Sequence, residues 1–260
     1  MVAGVTASLR RVVRLAAAFS IAGFKAKDQR SVLGLLWSLL NPLLLSVMLF
    51  AVFQGSLGRG QTGAGYFLYV FAGSVVWNFF VMATTVGSAS LLVRAELLRN
   101  VAFPAEVPVY GDLGALTLQY LVELVALFAA AVLLGARPSW TLVLLPLVVL
   151  GQLAFACGIA LVLACFCVVA RDLQHVWAMV TRALFFATPV FYPADLAPPG
   201  LRRWFAWNPV GGAMEATRAL CRGAVPDPAQ IVVPLAAGLA TLLAGWLVFR
   251  AAAPAVIEKA

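Results

Sequence analysis

The chain has 260 residues, 63% of them hydrophobic and 11% charged, and its mean hydropathy is +1.00. A soluble domain is roughly half apolar and about a quarter charged, so this composition excludes a soluble fold and calls for a bilayer as solvent. The formal charge of +8 then reads as positive-inside bias and contact with anionic lipid, and nucleic-acid binding is set aside for want of a soluble basic face.

The first element, over residues 1–33, reads as a cytoplasmic or interfacial helix rather than a cleavable signal, because Arg10, Arg11, Arg14, Lys25, Lys27 and Arg30 are spread along it. On a helical wheel of residues 9–25, Leu9, Val12, Val13, Ala16, Phe19, Ser20 and Phe24 share one side. Arg10, Arg11, Arg14 and Lys25 share the other, with Ile21 as the exception. Such a helix lies in the membrane surface. Composition leaves open whether it is only an anchor or also meets a cytoplasmic partner.

Six membrane spans are expected after it, at about 34–54, 66–93, 113–134, 142–169, 176–191 and 231–249. The fold class is therefore all-α and polytopic, with the whole chain a single membrane domain. Residues 192–230 form the longest connection and are rich in proline and aromatics. They read as an outer, re-entrant segment, tolerated at membrane depth where it packs on protein or lines a wet cavity.

With the N-terminus cytoplasmic, Arg94, Arg99, Arg171, Arg250 and Lys259 also fall inside, against Arg59 and Arg137 in the first two outer loops. Both ends are then cytoplasmic. Arg202, Arg203, Arg218 and Arg222 in the last outer segment are the exception. Cys157, Cys165 and Cys167 lie in one apolar run and Cys221 stands apart. They form no CxxC or Cys/His spacing, so neither a metal site nor a disulfide framework is expected.

Four landmarks carry a resemblance. They are Arg30-Ser31-Val32-Leu33-Gly34-Leu35-Leu36-Trp37 with Asn41-Pro42-Leu43, and Leu91-Leu92-Val93 with Phe103-Pro104-Ala105-Glu106-Val107-Pro108. The others are Arg171-Asp172-Leu173 with Thr188-Pro189-Val190-Phe191-Tyr192-Pro193, and Trp207-Asn208-Pro209 followed by Glu215 and Arg218. In this order and spacing the chain resembles type-2 ABC exporter permeases, above all the branch that exports O-antigen, teichoic acid and related cell-wall glycans. It departs from them at Arg99-Asn100 and Ala102.

The resemblance implies a transport subunit in the inner (cytoplasmic) membrane, two copies of it around one path, and two separate ATPase subunits that hold ATP and Mg. The sequence contains no GxxxxGK[ST] motif, and no cofactor is expected on this chain. Lipid-linked glycan is the implied substrate and membrane lipids the remaining partners. Coupling to the ATPase is expected from Arg10, Arg11 and Arg14 on the first helix. The loop residues Arg94, Glu96, Arg99, Phe103, Pro104 and Glu106 complete that surface.

Aromatic faces suit the apolar side of sugar rings. The candidates for the substrate path are Trp37, Tyr66, Trp77, Phe185, Phe186, Phe191 and Tyr192. Glu123 and Arg182 each fall within an apolar span, where an isolated charge is costly. They are expected to pair and to hold spans three and five together, the alternative being that one of them lines the aqueous path. Other functions weighed are an exporter of drugs or lipids on the same fold, an ion-coupled transporter and an intramembrane enzyme. The last two lack the intramembrane carboxylates or the convergent catalytic set they need.

Overall fold

The apolar runs fold for the most part as helices, and a computed structural model describes residues 2–29, 36–57, 63–95, 104–137 and 139–259. The helices are α1 (Val2–Gln29), α2 (Leu36–Leu57), α3 (Gly63–Val93), α4 (Glu106–Leu133) and α5 (Leu145–Val169). They continue with α6 (Leu173–Ala187), α7 (Pro199–Trp207), α8 (Pro209–Cys221) and α9 (Pro228–Lys259). Short 3-10 turns occupy Trp140–Leu144 and Ala194–Leu196, and no strand occurs among the described residues. The all-α, polytopic expectation holds.

Helix α3 is the hub. It packs against α2, α4, α5, α6 and α8 and is buried from Tyr66 to Leu91 on several sides. A helix apolar all round is built for such a central position. Polar side chains tie its neighbours to it. The Tyr120 hydroxyl of α4 donates to Gln152 Oε1 of α5 (2.9 Å), and Gln152 Nε2 donates to the Val76 carbonyl of α3 (2.7 Å).

Helices α5 and α9 share the most extensive interface. Gly151 and Gly158 on α5 face Gly238 and Gly245 on α9. A Cβ at Gly158 would overlap the Thr241 backbone, and one at Gly245 would overlap the Gly158 carbonyl. In lipid, where burying apolar surface gives no drive, close backbone approach of this kind supplies the packing energy.

Side-chain partners fix the helix directions. Phe50 of α2 lies on Tyr66 and Asn41 bonds Asn78, so α2 runs antiparallel to α3. Helix α4 is antiparallel too, with Arg94 beside Asp112 and Phe79 stacked on Tyr120. Helix α5 runs with α3 (Val76 to Gln152, Gly87 to Ala160) and α9 runs with α5. Helix α6 goes back against α3, from Trp177 beside Thr84 to Phe185 beside Trp77.

One expectation needs correction. Among the described residues, five helices are long and apolar enough to cross a membrane: Leu36–Ser56, Gly63–Val93, Glu106–Leu133, Trp140–Val169 and Pro228–Ala252. The fifth expected span, 176–191, is not among them. Its helix α6 has 15 residues, or about 22 Å at 1.5 Å per residue, short of the roughly 30 Å hydrocarbon core. Pro189 is the cause. The residue before a proline is pushed out of the helical region, and Thr188 is extended at φ −116°, ψ 139°.

The amphipathic first helix is anchored on the bundle as well as being placed for the membrane surface. Its inner side packs on the start of α4, with Phe19 against Gly111 and Ser20 against Gly114. Val13, placed on its apolar side, is exposed. Helix α4 itself starts at Glu106, inside the stretch read as loop. Pro108 falls in its first turn, where a missing N–H costs no intrahelical bond.

Candidate functional site

Three places gather the residues that the sequence singles out. The first is a cavity of about 290 Å³ between α2, α3 and α6. Trp77 and Phe185 meet edge to face in its wall (centroids 5.9 Å apart), and Phe186 crosses Phe185 at 88°. Amides face the same space, with Asn41 Nδ2 donating to Asn78 Oδ1 at 3.1 Å. The Ser74 hydroxyl is buried in this wall and finds no hydrogen-bond partner among the described residues. Arg182 lies exposed at the rim. Aromatic faces, amides, a free hydroxyl and a cation together suit a polyhydroxylated ligand with apolar C–H surface.

The second place is the turn 188–193 that follows α6. Asn208 caps α8 by accepting from the Val210 and Gly211 amides, with Pro209 at the first helical position. That cap starts the helix that carries Arg218, which is 2% exposed. Arg218 Nε donates to the Tyr69 carbonyl (3.1 Å), Nη1 to Glu215 Oε1 (2.6 Å) and Nη2 to the Val190 carbonyl (2.6 Å). Its guanidinium lies 3.4 Å from the Tyr69 ring centroid. The planar fork of arginine fits this set of acceptors and the ring face at once.

Tyrosine hydroxyls finish the clamp. Tyr66 donates to the Phe191 carbonyl (2.8 Å), Tyr69 to the Tyr192 carbonyl (3.0 Å) and Tyr192 to the Phe186 carbonyl (2.8 Å). Burial pushes the Tyr192 phenol above its ordinary pKa, so it stays a donor. Gly73 permits the close approach, since a Cβ there would overlap the Val190 carbonyl and sit 2.6 Å from Arg218 Nη2.

The third place is the opposite end of the bundle. Arg94 makes a two-pronged ion pair with Asp112, both contacts at 2.6 Å. This pins the end of α3 to the second turn of α4. The Pro104 carbonyl accepts from the Val107 amide at the start of α4, and Glu106 sits in the first turn. There a carboxylate favours the helix dipole. Arg10, Arg11 and Arg14 are exposed on α1.

Not every expected site residue joins its group. Trp77, Phe185 and Phe186 line the cavity, whereas Tyr66, Phe191 and Tyr192 hold the turn. Trp37 is exposed at the start of α2, one turn before Asn41, and does not itself line the cavity. Glu96, Arg99 and Phe103 lie outside the described residues. Glu123 and Arg182, expected to pair, lie in different settings. Glu123 is buried on α4, where Gln119 Nε2 donates to its Oε1 at 3.1 Å. Arg182 projects from α6 into the cavity rim, on a helix that packs chiefly on α3.

Asn41, Ser74, Asn78 and Arg218 are the functional candidates that sequence reading passed over. For Arg218 the signal was present, since Asn208-Pro209 starts a helix that puts Glu215 and Arg218 one turn apart.

Comparison with known proteins adds the family. The sequence matches the family model described as "ABC-2 type transporter" over residues 18–221. It is 30% identical over 232 residues to the O-antigen export system permease protein RfbA of Myxococcus xanthus, covering 87% of each chain. It is 25% identical over 227 residues to a protein of the same name from Klebsiella pneumoniae, again covering 87% of each. A helical bundle with five helices of spanning length, matched by that model over most of its residues, is a multi-pass transport subunit, and the chain belongs to the ABC-2 type transporter family.

Proposed function

We propose that the chain is the membrane subunit of an ATP-driven exporter that moves a lipid-linked polysaccharide across the inner membrane. Two copies flank the path, and two separate ATPase chains bind its inner end. The relatives' names supply the cargo class. The observation that carries the reading here is the cavity between α2, α3 and α6. It combines sugar-stacking aromatics with amides and opens on the barest side of the bundle, where α2 is mostly exposed. The whole chain acts as one permease domain, with residues 192–230 as an outer segment that dips toward the membrane and returns.

The helix directions support an orientation with both termini cytoplasmic. Helix α6 and its turn return the chain from the level of Thr84 to that of Tyr66, so α9 runs the same way as α3. The starts of α2 and α4 and the ends of α3, α5 and α9 then share one end with α1. That end carries Arg10, Arg11, Arg14, Arg94, Arg171 and Arg250. The Arg94–Asp112 pair makes it a stiff surface on which an ATPase can push. Pro104 and Glu106 belong to the same surface.

The test is transport in vesicles that hold this chain and its ATPase partner. Trp77→Ala and Asn78→Leu should each lower export of a lipid-linked glycan at least tenfold and leave assembly with the ATPase intact. Export of amphiphilic drugs or of simple lipids in place of the glycan would favour the other exporter class and defeat this reading.

A further inference from the structure

A second and larger cleft, about 1140 Å³, runs between α1, α4, α5 and α9, on lining separate from that of the α2–α3–α6 cavity. We infer that it is a binding site for an anionic phospholipid, with the acyl chains in the cleft and the headgroup held by Arg14 of α1 and Arg250 of α9. The inference does not depend on which cargo the exporter carries.

The lining selects acyl chains. Ile21, Leu118, Leu150, Leu239, Leu243 and Trp246 present their apolar surfaces to it. Two of its three hydroxyls are spent on their own helices, and the third, on Tyr110, lies at one end of the cleft. Ser20 donates to the Ala16 carbonyl and Thr117 to the Leu113 carbonyl, each at 2.8 Å. Away from the Tyr110 end a sugar or a peptide backbone would find no partner, and its unpaired polar groups would be costly. A methylene takes about the room of a water molecule, about 30 Å³, so the cleft has space for roughly three dozen, or two acyl chains.

The charge lies at one end. On α1, Arg10, Arg14, Ala17 and Ile21 form one column at i, i+4, i+7 and i+11, and Ala17 and Ile21 line the cleft. This explains Ile21, the apolar exception on the basic side of that helix. Helix α1 follows α4 upward from its start (Phe19 at Gly111, Gly23 at Ala115). Arg14 therefore sits at the Tyr110 end of the cleft. On the opposite wall Trp246 lines that end, and Arg250, one turn on, stacks its guanidinium 4.7 Å from the Trp246 ring centroid. Glu106, one turn before Tyr110, opposes part of this charge, and the arginines outnumber it. An apolar trough with arginines at one mouth has the polarity of a phospholipid, and basic side chains near an anionic headgroup attract it.

The experiment is native mass spectrometry of the full-length chain in mild detergent, with dioleoyl-phosphatidylglycerol or dioleoyl-phosphatidylcholine added. At roughly fivefold per arginine, phosphatidylglycerol should bind about 25-fold more tightly. The double variant Arg14→Gln/Arg250→Gln, on exposed positions, should bring the two lipids level. Ala17→Trp, which fills the cleft, should weaken both lipids together at unchanged helicity by circular dichroism. Equal binding of the two lipids to the unaltered chain overturns the inference. So does a preference that survives the double variant, or retention unaffected by Ala17→Trp. Tighter binding of a polyisoprenyl phosphate than of phosphatidylglycerol would assign the cleft to a different ligand, and loss of a dimer on Ala17→Trp would assign it to a second copy.

Discussion

Replacing Arg218 by methionine keeps the length and apolar stem of the side chain and removes its fork. The Val190 carbonyl then loses the donor that holds the turn after α6, Glu215 loses its partner, and Tyr69 loses the stacked guanidinium. Breaking a buried pair costs about 3–5 kcal/mol. Glu215 is 29% exposed in its side chain, so water recovers part of its loss and the lower half of that range, about 3–4 kcal/mol, applies. For a chain of this size each kcal/mol moves the midpoint by about 2–4 °C, giving a drop of roughly 6–16 °C.

The assay is thermal unfolding in detergent at one fixed scan rate, because unfolding of such proteins is irreversible and rate-dependent. Arg218→Lys should recover less than half of the loss, since an ammonium cannot reach three acceptors and stack on a ring. Glu215→Gln, which retains an acceptor, should cost about 1 kcal/mol or less. A midpoint for Arg218→Met within about 2 °C of the parent would refute the reasoning, because the turn would then be held by the Tyr66 and Tyr69 hydroxyls alone.

Gly73→Ala should act on the same clamp from the other side, lowering the midpoint with no change of charge, because its methyl displaces the Val190 carbonyl. Gly158→Ala or Gly245→Ala should force α5 and α9 apart and cost about 1–3 kcal/mol, read as a lower unfolding midpoint. At the Arg94–Asp112 end, Asp112→Asn should loosen α3 from α4 and reduce ATP-driven transport more than protein yield. Equal losses of both would show that the pair serves folding alone. All four cysteines are buried, and burial pushes the Cys221 thiol up to about 12 despite Arg222 and Arg218 nearby. A folded group with a raised pKa stays a neutral thiol at neutral pH, so a maleimide should label the chain only after denaturation.

Much of the bundle was legible because hydropathy and helix length are linear properties of the chain. The apolar runs at 66–93, 142–169 and 231–249 all lie within helices of spanning length. The fifth run misled because hydropathy counts Thr188–Phe191 as span although Pro189 ends the helix there. Length was read from apolarity where backbone geometry decided it. The site was less legible for a related reason. Arg218 scores as a loop charge, and nothing in a hydropathy pattern reports that three acceptors and a ring converge on it from residues 69, 190 and 215. The same gap explains Glu123 and Arg182. Two isolated charges in apolar runs suggest each other as partners, but Glu123 turns to Gln119, one turn away on its own helix.

The two bare sides of the bundle also differ physically. Helix α2 exposes Met48 and Val52, and α6 exposes Met179 and Phe186. In water such faces would drive association, but lipid tails are as apolar as leucine, so in a bilayer they supply no such drive. What distinguishes this side is its polar content. Asn41, Asn78 and Ser74 lie within helices of spanning length, with Arg182 facing the same cavity, and polar groups on such helices are expensive unless they meet partners, water or a ligand. The α1–α4–α5–α9 side has its polarity at one end only, as a lipid does. Substitutions that remove polarity from the first side should therefore affect transport and assembly, whereas those that remove charge from the second should alter the response to lipid composition.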